Sequence, residues 1–128
     1  MNHDAARSET AALRSLGGKI GIAGLTTPDF DLVYANAQAV DRFCDQFESI
    51  DLSREERFYF MQLIVASLDE ALRRGVRYAR ELEERVGRLL ARDLVDYEYI
   101  IDYWGRTGVD IDLRVAPMMQ RLKSSRQL

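Results

Sequence analysis

Residues 53–75 read "SREERFYFMQLIVASLDEALRRG", and this stretch decides the fold class. Ser53 and Glu56 have the spacing of a capping box, in which each residue satisfies the other's free backbone N–H at a helix start. Phe58, Met61, Val65, Leu68 and Leu72 then recur every three or four residues, the period of one helix face. Phe60 and Ile64 widen that face beyond the stripe of an ordinary surface helix. Arg73 and Arg74 suit the negative end of the helix dipole, and Gly75 suits a left-handed stop. The stretch predicts a central helix on which the rest of the chain packs.

On its N-terminal side, "TTPDFDLVYANAQAVDRFCDQFESI" spans residues 26–50. Thr27 reads as the cap, Pro28 as the first helical residue and Asp29 as an acid in the first turn. Phe30, Val33, Ala37, Val40, Cys44 and Phe47 predict one helix of about five turns. Asn36 falls in its apolar arc, so a buried, hydrogen-bonded amide is expected. On the C-terminal side, residues 76–93 predict a helix with Ala79, Leu82, Val86, Leu89 and Leu90 facing in. Asp93 and Asp96 read as a new start, which breaks the chain before "DLVDYEYIIDYWG" (93–105); one helix over 76–104 is the alternative. Residues 106–116 read as a loop, and Pro117 starts a short last helix carrying Met118, Met119 and Leu122. No alternating pattern of strand length occurs. The expected class is all-α, a compact antiparallel helical bundle of about five helices. It is expected as a single domain over residues 26–128, preceded by a flexible N-terminal segment and glycine-rich link over 1–25, in which residues 1–15 are expected as a short helix or a frayed tail.

Composition narrows the function. The chain has 128 residues, is 47% apolar and carries a net charge of −3. So weak an acidic balance offers no electrostatic basis for nucleic acid or an anionic membrane as partner. No apolar window is long enough for a membrane span. One cysteine, Cys44, excludes an internal disulfide, and "MNHDAARSETAAL" (1–13) holds no apolar run of signal-peptide length. A cytoplasmic protein is expected.

Catalytic chemistry finds few supports. "LGGKIGIAGL" (16–25) holds four of the eight glycines. A phosphate-binding loop needs Ser or Thr after its lysine, but Ile20 follows Lys19, and no strand precedes the glycines as a dinucleotide site requires. The expectation is a link that packs Ile20, Ile22 and Leu25 onto the bundle, with no nucleotide and no other cofactor. His3 is the single histidine, and Cys44 lies in an apolar arc, so nucleophile–base pairs and zinc sites lack partners. Carboxylates remain. Asp41, Asp45 and Glu48 share one helix face, and Asp69 borders the central helix. They make a carboxylate/Mg²⁺-dependent all-α hydrolase the alternative reading, because Mg²⁺ favours hard oxygen ligands. Seven arginines and three glutamates lie between residues 73 and 92, a net +4. Arg77–Glu81, Arg80–Glu84, Glu81–Arg85 and Glu84–Arg88 have i,i+4 spacing, which points to a charge-laced surface rather than a DNA footprint.

The segment over 93–105 is the most informative about function. Leu94, Tyr97, Ile100, Ile101 and Trp104 fall on one arc, expected to face the core. Val95, Tyr99 and Tyr103 fall on a second arc, with Asp96 and Asp102 beside it. A helix with two apolar arcs is central or has two partners. Tyr59 and Leu63 form a further outward pair on the central helix. Exposed tyrosines cover large areas at low rotamer cost. The expected function is therefore a non-enzymatic protein-binding module of the immunity, antitoxin or regulatory-adaptor kind. It is expected to bind itself as a homodimer, another protein, or both, through Tyr99, Tyr103, Asp96, Asp102, Tyr59 and Leu63.

Overall fold

The capping box at Ser53 forms as expected. In the computed structural model, which describes residues 3–126 and the side chains of 9–125, the Ser53 Oγ accepts from the Glu56 N–H at 3.1 Å. The Ser53 N–H in turn donates to the Glu56 Oε1 at 2.8 Å. The helices are α1 (His3–Ile20), α2 (Phe30–Val33), α3 (Val40–Ser49), α4 (Arg54–Arg74), α5 (Ala79–Ala91), α6 (Glu98–Trp104) and α7 (Ala116–Arg126). Among the described residues there is no strand, so the all-α class holds.

Helix α4 is the core. It touches α1, α2, α3, α5 and α6. Phe60, Met61, Leu63, Ile64, Val65, Ala66, Leu68 and Ala71 are buried along it. Leu63 was expected to point outward, yet it is fully buried. The reason is the number of neighbours: a helix packed on five others keeps little outward face. Gly75 ends α4 in the left-handed conformation, as its sequence position predicts.

The helices outnumber the expected five for two reasons. First, residues 26–50 break into α2 and α3. The Asn36 Oδ1 accepts from the Gln38 N–H at 3.0 Å, and the Asn36 N–H donates to the Ser67 Oγ at 3.0 Å. These bonds offer the backbone an alternative to the helix ladder, as short polar side chains do. Asn36 is therefore an exposed turn residue rather than a buried amide. The one-turn α2 begins at Phe30, after Asp29, and no side chain caps it.

Second, the N-terminal region is largely helix. Gly17 and Gly18, expected in a link, lie inside α1, which packs on α4 and buries Leu13, Leu16 and Ile20. The Gly17 carbonyl accepts from both Gly21 and Ile22 N–H groups at 2.9 Å, so the chain folds back over the helix end. A Cβ on Gly17 would stand 2.5 Å from the Ile22 carbonyl oxygen, so this fold-back requires glycine.

Residues 76–104 form two helices. Leu90 and Asp93 carbonyls accept from Asp93 and Tyr97 N–H groups, and Tyr97 rather than Asp93 opens α6. The start of α7 is held from below. The buried Asp69 Oδ1 accepts from the N–H groups of Arg114 and Val115 at 2.6 and 3.1 Å, and its Oδ2 accepts from Arg73 at 2.9 Å.

Candidate functional site

Helix α6 has seven residues, and its inner side is settled by Ile100, Ile101 and Trp104, all buried. That leaves Tyr99 on the outer side, 62% exposed, and Tyr103 half-buried one turn on. The two rings stack with centroids 6.3 Å apart. They belong to a longer series. Phe30 of α2 meets Tyr59 of α4 at 6.0 Å, Tyr59 meets Phe58 at 5.6 Å, and Phe58 meets Tyr99 at 6.3 Å. Tyr103 then meets Trp104 edge-on at 5.5 Å. Six rings thus run without a break across three helices. The Arg106 guanidinium lies 4.0 Å from the Tyr103 ring centroid and donates to its carbonyl at 2.8 Å. Such ring pairs favour edge-to-face and offset geometries, and they fix one another's rotamers.

The apolar margin of this ridge is exposed. Val95 is 75% exposed, and Leu32 and Val33 are each 58% exposed. A cavity of about 190 Å³ opens between α2 and α6, walled by Leu32, Gln62, Tyr99, Tyr103 and Trp104, with Pro28, Asp29 and Asp31 at its edge. A wider hollow on the other flank is lined by Arg54, Glu55, Phe58, Tyr59, Val95 and Asp96.

Asp96 lies beside Tyr99 as expected but pairs with Arg54, whose hydrogen bonds hold its carboxyl below the usual range. Asp102 meets Lys123 of α7 at 3.2 Å. Both acids therefore tie the rim of the face to the rest of the molecule. Tyr59 is half-buried within the ridge, and burial pushes its hydroxyl pKa up. Leu63 contributes to the core and not to this face. Sequence reasoning missed Asp29, Asp31, Leu32 and Val33. Their helix was expected to continue inward, and only the polar pair at Asn36 and Gln38 signals the break.

The carboxylates considered for metal serve other ends. Arg85 of α5 donates to Asp41 at 2.6 Å, to Asp45 at 2.7 Å and to Glu48 at 3.1 Å. The positive charge at the centre of this trio is thus a guanidinium. Asp69 is engaged with Arg73 and the start of α7. Among the described residues, no group of three or more His, Cys, Asp or Glu side chains has the geometry to hold a metal ion. Cys44 is buried, and burial pushes its thiol up to about 11, against the pull of Arg85. His3 lies outside the residues whose side chains are described. Lys19 donates to the Glu56 Oε1 at 2.9 Å and to the Asp51 carbonyl at 3.0 Å, so it is committed to the α1–α4 contact.

The arginine-rich run is also engaged. Instead of the expected i,i+4 ladder along α5, Arg80 pairs with Glu83, and Arg85 and Arg92 cross to α3. Helix α3 supplies an acidic row, Asp41, Asp45 and Glu48, within reach of these arginines. No helix among the described residues is long and apolar enough to cross a membrane. Comparison with protein-family models, with curated proteins and with solved structures finds no match for this chain.

Proposed function

We propose that this chain is a non-enzymatic protein-binding module that self-associates through the aromatic ridge of α2, α4 and α6. The unbroken series of six rings, exposed along one margin, carries the proposal. Tyrosine and tryptophan concentrate binding energy at interfaces, since a rigid ring buries much area for few frozen torsions. Here each ring already packs against a neighbouring ring, an arrangement that lowers the entropy lost on docking. The internal pairs Arg54–Asp96 and Lys123–Asp102 give the face a polar rim of the kind that excludes water from such anchors.

The test is sedimentation across a concentration series. The wild-type chain is expected to associate, and the Tyr99→Ala/Tyr103→Ala double variant should weaken that association by roughly 2–4 kcal/mol. Association untouched by the double substitution would place the interface elsewhere.

A further inference from the structure

The cavity between α2 and α6 is small, about 190 Å³, against roughly 300–1,000 Å³ for sites that enclose a drug-sized ligand. It has room for one long side chain. It is lined by the rings of Tyr99, Tyr103 and Trp104 and by two carboxylates, Asp29 and Asp31; among the described residues no lysine or arginine lines it, and Arg106, stacked on Tyr103 at 4.0 Å, stays outside the lining. Among the described residues, two acidic clusters have cations: Arg85 serves Asp41, Asp45 and Glu48, and Arg73 serves Asp69, Glu70 and Asp112. Asp29 and Asp31, by contrast, form no ion pair among the described residues and stand beside aromatic rings.

We propose that this cavity receives an arginine side chain from the second copy of this chain docked on the ridge. The inference rests on the ridge being a protein-binding face. A guanidinium is planar and weakly hydrated, so it lies against aromatic walls while its N–H groups fork onto a carboxylate. Lysine offers a compact, strongly hydrated charge that uses only the second feature. Asp31 is half-buried at the cavity. Burial pushes its carboxyl pKa up, the N–H groups of Leu32 and Asp31 itself pull it back, and Asp29 pushes it up further.

Trp104 is the single tryptophan of the chain and walls the cavity, so its fluorescence reports occupancy directly. The experiment titrates the full chain, dilute enough to be monomeric, with N-acetyl-arginine-N-methylamide at constant ionic strength. The uncharged isostere N-acetyl-citrulline-N-methylamide and N-acetyl-lysine-N-methylamide are run in parallel. A saturable change in the millimolar range is expected for the arginine compound. Citrulline should bind at least about tenfold more weakly, a loss of ~1.4 kcal/mol, with lysine in between. Asp31→Asn should abolish saturation, and Asp29→Asn, a second variant should the first fail to fold, should weaken it several-fold.

An equal response to arginine and citrulline, or saturation that survives both substitutions, overturns the proposal. So does the absence of any saturable response from the arginine compound. Failure here with tyrosine-dependent association intact removes only the arginine pocket. Binding of the arginine compound without tyrosine-dependent association instead removes the ridge as the docking face.

Discussion

Glu56 shows most plainly how one residue joins distant parts of the chain. Its carboxylate accepts from the Ser53 N–H, from the Ser15 Oγ at 2.8 Å and from Lys19 at 2.9 Å, and its side chain is 5% exposed. Burial raises its pKa, but the donors from Ser53, Lys19 and Ser15 outweigh it and bring the value down to about 2. A carboxyl depressed in the folded state, against about 4.3 in the unfolded chain, stabilises the fold above the unfolded value. That stability is lost as pH falls through about 2. A shift of this size corresponds to about 3 kcal/mol. Glu56→Gln should therefore lower stability by about that amount at pH 7. Urea denaturation from pH 7 to pH 2 should show the gap to wild type closing, and a gap constant over that range would show that the carboxylate charge does not carry the effect. The capping half of this cluster was legible, since Ser53 and Glu56 lie three residues apart. The halves from Ser15 and Lys19 were not, because they lie 41 and 37 residues away from Glu56 and no local pattern encodes such pairings.

At the scale of the element, helix α4 was readable nearly throughout, because its cap, period and stop all agree. Ile64→Ala or Leu68→Ala should cost on the order of 2–5 kcal/mol, through lost burial and a residual cavity. A denaturation midpoint close to wild type would show that α4 is not the central packing element. The end of helix α1 was misread, because Gly17 and Gly18 suggest a link whereas the fold places them inside the helix. A Cβ on Gly18 meets nothing within 4 Å, while one on Gly17 meets the Ile22 carbonyl at 2.5 Å. Gly18→Ala should thus stabilise by about 0.5–1 kcal/mol, as alanine does in a helix interior. Gly17→Ala should destabilise by about 1–3 kcal/mol, because backbone must shift to admit the methyl. Thermal melts of the two variants should move in opposite directions; a shared direction would contradict the fold-back over the α1 end. The break between α2 and α3 was hidden by apolar spacing that continues through Asn36, where local side-chain bonds decide the backbone.

Across the whole molecule, the aromatic ridge was half legible. The second arc of α6 marked Tyr99 and Tyr103, and both stand on the exposed ridge. Their neighbours across the face come from α2, whose outward turn depends on the misread break. Leu63 shows the reverse limit: helix periodicity places a residue on a side, and the number of neighbouring helices decides whether that side is covered. The acidic row on α3 was visible as a row, but its partner Arg85 arrives from another helix. Whether Tyr99 and Tyr103 serve association or the core is decided by sedimentation combined with urea denaturation on three proteins. Wild type, Tyr99→Ala/Tyr103→Ala and Trp104→Ala are compared, Trp104 being 4% exposed. Wild type is expected to associate with rising concentration, and the tyrosine variant to stay monomeric with stability within about 1–2 kcal/mol of wild type. Trp104→Ala should lose about 3–5 kcal/mol. A wild type monomeric at every concentration, or a tyrosine variant that unfolds as readily as Trp104→Ala, would contradict a role in association.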